Sequence, residues 1–395
     1  MPSFKKIVAI LFYSAFLVST NALSENFSAV DLIGESSLLF PESGAKFGSA
    51  PSRLIEANAV VSALGMIQGQ PSAGDHSGMA DLSNAQIIVR KNAGLFQFYL
   101  QSGYYSTPSL GTTYQRAEQQ TFDSFGLVPL ASISIAPNKN WAFGIGKLTS
   151  IGGYEDTFTF QNINIDRGLL WNQTSNVSRG VDIRYHDEDI SSAISWNDGF
   201  YSGQMTWLSG VITYKANVKN EISFSAAGNF SSSSVNTFAT PILQNNSQIF
   251  NAIFTHKGDQ FSITPYLQYT QIPANPSIGI LNSSNTKGVA LLLNSRLSSL
   301  ALIKLDPNMK IYLPLRIEYI SSEGGAAAGT GNPLYGPGSS AWSATITPTF
   351  QHGNVFARVE FSYVKIANLS SGYGFGPQGV NENQYRAMLE VGGLF

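Results

Sequence analysis

Tyr385-Arg386-Ala387-Met388-Leu389-Glu390-Val391-Gly392-Gly393-Leu394-Phe395 closes the 395-residue chain, and its side chains alternate with a period of two. Tyr385, Ala387, Leu389, Val391 and Phe395 fall on one face, and Arg386, Met388, Glu390 and Leu394 on the other. Only an extended strand separates the charges from the apolar set in this way, because the helical period would interleave them. A chain terminus frays unless it is tied into the fold. A strand that ends on Phe with an apolar outward face has that tie if it closes a transmembrane β-barrel, with Phe395 as the signal that assembly reads.

The other end agrees. Lys5-Lys6 precede the apolar run Ile7 to Val18, and Ala22-Leu23-Ser24 supplies a signal-peptidase pattern, so residues 1–24 are read as a signal peptide and the chain as exported. No later stretch approaches the roughly 18 consecutive apolar residues of a membrane helix. A membrane protein that crosses without helices must be a closed barrel, because hydrocarbon cannot satisfy an open sheet edge. Charged residues are 12% and aromatics 12%, against about 25% charged in soluble domains, a balance suited to lipid contact. Without Lys5 and Lys6, 21 basic residues face 25 acidic ones, a net charge of −4, so nucleic acid has no electrostatic reason to bind. The absence of cysteine excludes disulfides, thiolate metal sites and cysteine nucleophiles.

From Glu56 onward about sixteen period-2 segments can be placed, each near the roughly 9–11 residues a tilted strand needs to cross a bilayer. They cover 56–64, 83–91, 95–105, 130–136, 140–147, 177–186, 189–197, 207–216, 220–228, 248–256, 260–270, 287–297, 309–320, 341–350, 354–364 and 384–395. The count is bracketed at about 12–18, because 287–306 reads as one apolar stretch broken only near Ser298-Ser299. Residues 55–395 are thus assigned to an up-and-down antiparallel barrel. Residues 25–54, interrupted by Pro41, Gly44, Gly48 and Pro51, carry no period and are read as an extension or a plug-like segment.

The connections alternate in length. Lys91-Asn92-Ala93-Gly94, Pro137-Asn138-Lys139-Asn140, His186-Asp187-Glu188-Asp189, Asn217-Val218-Lys219-Asn220, Lys257-Gly258-Asp259, Asp306-Pro307-Asn308 and Gln351-His352-Gly353-Asn354 are tight turns. The intervening connections are long and rich in Gly, Ser, Asn and Pro. Short periplasmic turns on one rim and long external loops on the other are the pattern of an outer-membrane barrel. Aromatics at strand ends, among them Tyr105, Trp141, Tyr185, Trp207, Trp342 and Tyr363, suit girdles at the two interfaces.

Charge decides which face of each strand points inward, since an Arg near the bilayer midplane costs about 2–4 kcal/mol. Arg358 and Glu360, Arg316 and Glu318, Asp182 and Arg184, and Arg386 and Glu390 must therefore face the lumen, as must Arg90. These nine are the expected pore wall. The third long connection, 148–176, is too apolar for a solvated loop, with Phe158, Phe160, Ile163, Ile165, Leu169 and Trp171 in need of burial. Folding it into the lumen satisfies them, and makes Tyr154, Glu155, Asp156, Asp166 and Arg167 the expected constriction, with loop acids facing wall bases across the narrowest section; an external cap packed on its neighbours is the alternative.

No catalytic centre is legible. His76, His186, His256 and His352 are scattered, three of them in or beside short turns, and Gly324-Gly325-Ala326-Ala327-Ala328-Gly329 lacks the Lys-Ser or Lys-Thr of a phosphate loop. No cofactor or metal ligand set is expected.

Gly103-Tyr104-Tyr105, Gly144-Ile145-Gly146-Lys147-Leu148, Asn162-Ile163-Asn164-Ile165-Asp166-Arg167-Gly168-Leu169-Leu170-Trp171, Ser178-Arg179-Gly180-Val181, Ser195-Trp196-Asn197-Asp198-Gly199-Phe200-Tyr201, Leu334-Tyr335-Gly336-Pro337-Gly338 and the terminal strand resemble the OmpL-like β-barrel porin family of Gram-negative outer-membrane proteins. The resemblance implies an outer-membrane channel and brings no agreed substrate. An inward third loop is also the constriction of the general porins, although their Pro-Glu-Phe-Gly-Gly signature is missing here. The sequence thus points to a passive porin for small hydrophilic solutes, with a surface receptor or adhesin barrel as the alternative. Expected partners are outer-membrane lipid, the barrel-assembly machinery and periplasmic chaperones; monomer and homotrimer are both compatible.

Overall fold

The computed structural model describes Ser36, Leu38, 45–47, 54–297, 306, 308–323 and 335–395. The signal peptide read at 1–24, most of 25–54 and residues 298–305 of the 287–306 stretch lie outside these residues.

Sixteen antiparallel strands close into one barrel. They are β1 (Ile55–Gly69), β2 (Gly78–Lys91), β3 (Phe96–Tyr105), β4 (Leu130–Ile135), β5 (Trp141–Thr149), β6 (Val177–His186), β7 (Ile190–Asn197), β8 (Trp207–Asn217), β9 (Asn220–Asn229), β10 (Gln248–Lys257), β11 (Phe261–Ile272), β12 (Ser284–Arg296), β13 (Met309–Glu323), β14 (Ser340–Ile346 and Thr349–His352), β15 (Val355–Ala367) and β16 (Asn383–Leu394). Every expected segment coincides with a strand, the uncertain twelfth included. The break in β14 falls at Pro348, which has no N–H for the ladder. Its flanks stay paired, with Thr347 N donating to Pro314 O at 2.9 Å and Val359 N to Pro348 O at 3.0 Å.

β16 closes the barrel on β1, in register from Tyr385 opposite Gly69 to Leu394 opposite Val60. Phe395 extends the seam, exchanging two 2.8 Å backbone bonds with Ala59. Below it the edge of β1 is taken over by a three-residue strand, Ala45–Phe47, opposite Ile55–Ala57.

Parity along the strands sorts the side chains as the cost of charge in lipid requires. Val355, Phe361, Tyr385, Leu389, Val391 and Phe395 point outward and are exposed, while Arg358, Glu360, Arg386 and Glu390 are buried inside. Trp141 pairs with Tyr185 at 4.9 Å between ring centroids near the periplasmic rim, and Trp342 with Tyr363 at 5.2 Å near the outer one. Two aromatics expected in the girdles are not there. Tyr105 and Trp207 have inward parity and are buried; the Trp207 Nε1 donates to Asn245 O at 3.1 Å, so an external loop and not lipid supplies its polar partner.

Candidate functional site

The third external connection lies inside the barrel because its own sequence leaves it no other burial. Ile163, Leu169 and Leu170 pack with Tyr266, Leu292 and Ile320 of the wall. Ile165 packs with Leu64, Met66 and Met388, and Phe158 and Phe160 with Ile88, Tyr99 and Phe356. Burying an irregular segment also buries its peptide groups, which must then find partners. The charged side chains of the wall supply them. Ile165 N and Asp166 N donate to the Glu360 carboxylate at 2.5 and 3.0 Å, and Leu169 N and Leu170 N to that of Glu318 at 2.9 and 3.2 Å. In the opposite sense, Arg358 donates to Asn162 O and Thr159 O, both at 3.0 Å, and Arg316 to Asp166 O at 2.8 Å.

Ion pairs complete the clamp. Arg316 Nη1 lies 2.5 Å from Glu155 and its Nε 3.3 Å from Glu318. Arg386 Nη1 lies 3.0 Å from Asp166. The Arg358 Nε donates to Glu390 at 2.9 Å, and the other Glu390 oxygen accepts from Thr159 Oγ1 at 2.8 Å. A charge removed from water at this depth persists only when paired and fully hydrogen-bonded. Around Glu155, burial pushes the carboxyl above its ordinary value, Arg316 opposes that push and Glu318 adds to it.

The expected site residues are therefore brought together, but not as charges facing one another across water. Arg316, Glu318, Arg358, Glu360, Arg386 and Glu390 lie beneath the docked loop, and Glu155 and Asp166 are in direct contact with them. That corrects the expectation of loop acids and wall bases separated by the pore: packing the apolar loop onto the wall leaves the charges no solvent and forces them to pair. Arg167 is likewise an internal brace. Its Nη1 donates to Ile165 O at 3.0 Å, its Nη2 to Thr157 O, and its guanidinium sits 5.4 Å from the Trp171 ring. Desolvation lowers its pKa to about 10.

The remaining residues are dispersed. The Tyr154 hydroxyl accepts from Thr264 of β11 at 3.1 Å, and the Asp156 N–H donates to Asn162 Oδ1 at 2.8 Å. Asp182 and Arg184 pair along β6 itself, with Arg184 Nε donating at 2.8 Å, and Arg90 pairs with Glu56 at 2.9 Å near the periplasmic rim. Sequence reading missed Asn84, Asn164 and Thr347. Asn84 donates to Thr159 Oγ1 at 2.6 Å, and Asn164 to Thr347 Oγ1 at 2.7 Å. Parity marks Thr347 as inward; nothing local marks its partner.

Residues 56–395 match the family described as "Putative beta-barrel porin-2, OmpL-like". The chain belongs to this family of porins. As a member it resides in the bacterial outer membrane. Two solved structures share the fold of this OmpL-like porin. The outer-membrane channel DcaP of Acinetobacter baumannii is 13% identical with a TM-score of 0.54, and covers 89% of this chain and 100% of its own. Salmonella typhi OmpF, solved with daunomycin, is 12% identical with a TM-score of 0.53 and the same coverage. No curated protein sequence matches the porin.

Proposed function

We propose that this porin is a passive diffusion channel for small hydrophilic solutes, narrowed by its third external connection. The docking of residues 154–171 onto the wall carries the reading, since a barrel of about sixteen strands is otherwise wide enough for an aqueous channel. The loop engages β11 to β16 together with β1 to β3. Across the barrel, inward positions of β7 to β10 are also polar, with Ser195, Ser209, Thr213, Ser223, Ser225 and Asn251 buried among their neighbours. Hydroxyl and amide groups there, with the loop-side charges already paired, favour polar solutes with weak preference for either sign of ion. No catalytic role is assigned.

Purified protein in planar bilayers tests the proposal. Stepwise conductance is expected, and deleting residues 154–167 should enlarge it and uncover Arg316, Arg358 and Arg386. A folded barrel without conductance would leave the receptor or adhesin reading. A conducting barrel whose steps are unchanged by the deletion would remove the loop from the constriction. Chemical cross-linking in membranes would distinguish monomer from homotrimer.

A further inference from the structure

Three of the stretches that carry the family resemblance, 144–148, 178–181 and 195–201, meet at the outer rim. Lys147 near the end of β5 and Arg179 at the start of β6 stand directly opposite each other, and both share the outward parity of Ile145 and Val181, the exposed apolar pair next along the same face. Like charges directly opposite destabilise a sheet. Arg179 Nε lies 2.7 Å from Asp198, whose other oxygen accepts from the Arg179 backbone N–H at 2.7 Å. Lys147 Nζ donates only to loop carbonyls, those of Phe125 at 3.0 Å and Val128 at 2.8 Å. The Tyr201 ring is shared by both, 3.9 Å from the Arg179 guanidinium carbon and 5.4 Å from Lys147 Nζ. Among the described residues Asp198 is the one acid paired with either cation, so the cluster keeps a net positive charge. The acid is hidden, with a side chain 1% exposed, while that of Arg179 is 42% exposed.

We propose that Lys147, Arg179 and Tyr201 form a site on the outside of the barrel for the phosphate-bearing head group of a lipid of the outer leaflet. Two opposed cations with one acid between them lack an anion, and a phosphate group supplies it: the Arg179 fork and the Lys147 point charge both suit its oxygens. Asp198 takes the Nε edge of the guanidinium and the Tyr201 carbonyl takes Nη2 at 3.0 Å, which leaves Nη1 without a partner among the described residues. The strands below decide between a lipid and a free anion. Beneath the cations the same two strands present the pairs Ile145 with Val181 and Phe143 with Ile183, all exposed on the outward face. Acyl chains hanging from a head group held at the cations would run down this apolar ladder, whereas a soluble anion gains nothing from it. An outward cation is also affordable only here, at the strand ends where head groups begin. The site is independent of the channel reading above.

Lipid retention tests it. Detergent-purified porin, with folding checked by heat-modifiable mobility, is mixed with bis-phosphorylated lipid A or with its dephosphorylated form, and bound lipid is counted by native mass spectrometry. The parent should retain the phosphorylated lipid at least about tenfold better than the other. Lys147→Gln should lose most of that preference and Lys147→Arg should keep it. Gln still offers N–H groups to the carbonyls of Phe125 and Val128, so a lysine that merely braces the loop predicts no change. Equal retention of the two lipids by the parent overturns the site whether or not the variants fold, and so does an unchanged preference in folded Lys147→Gln. Displacement of the lipid by an equimolar amount of inorganic phosphate would assign the cations to a free anion and overturn the lipid as occupant.

Discussion

Arg386 of the last strand donates to both oxygens of Asp166 in the third connection, at 3.0 and 3.1 Å, across 220 positions of sequence. The pair ties the loop directly to the strand that closes the barrel.

Breaking that pair from one side should free the loop. Asp166→Asn leaves Arg386 buried without its counter-charge, and Arg386→Met does the converse; loss of one partner of a buried pair costs about 3–5 kcal/mol. Each variant should expose the loop to external protease while the barrel stays folded. The double variant should recover much of the protection, because no unpaired charge remains. A double variant as labile as the sum of the singles would show that the two side chains do not act as a pair.

A methyl group at Gly168 should act as a wedge. A Cβ there would overlap the Glu318 carboxylate, which the Leu169 and Leu170 N–H groups hold in place. Gly168→Ala should therefore lift the loop and raise conductance, with assembly unaffected. Parent-like steps in the variant would mean that the loop shifts to accommodate the methyl.

Docking should also respond to acid through Glu155. Burial raises the folded-state value of this carboxyl above that of the unfolded chain, with Arg316, Glu318, Arg167 and the Gly168 N–H as the groups that face it. The contribution of its protonation to docking is present in full below the ordinary glutamate range. It is lost as pH rises through the raised value. Closures and noise should thus change as pH rises above the ordinary glutamate range, and Glu155→Gln should flatten the change. A pH profile identical in the Gln variant would place the titrating group elsewhere.

Deleting Phe395 should impair assembly more than stability. Its side chain is exposed outward and its backbone makes only the last pair of seam bonds, with Ala59. Outer membranes should hold less heat-modifiable porin, while the fraction that does insert should melt close to the parent. Wild-type amounts of folded protein would remove Phe395 from the assembly signal.

Much of the architecture was legible because a β-barrel is built from local rules. The facing of Arg358, Glu360, Arg316 and Glu318 follows from a two-residue period and from the cost of charge in hydrocarbon, both of which act within one strand. The sixteen segments and the inward fate of the third connection follow from the same periodicity and from apolar side chains with nowhere else to go. Trp207 and Tyr105 show the limit: their position at strand ends suggested lipid, and only the loops folded over them made the inward parity decisive.

By itself, then, the sequence determined that the chain is a barrel, where its strands run and which face of each points inward, and it singled out the third connection as a segment in need of burial. The partners were decided only in three dimensions. Asp166 meets Arg386, Glu155 meets Arg316, Asn164 meets Thr347 and Ser36 meets Phe160 because barrel closure brings inward positions of distant strands around a single loop. Parity is a property of neighbours along the chain, whereas pairing depends on the curvature of the closed wall and on how much lumen the loop fills, quantities that no local pattern encodes.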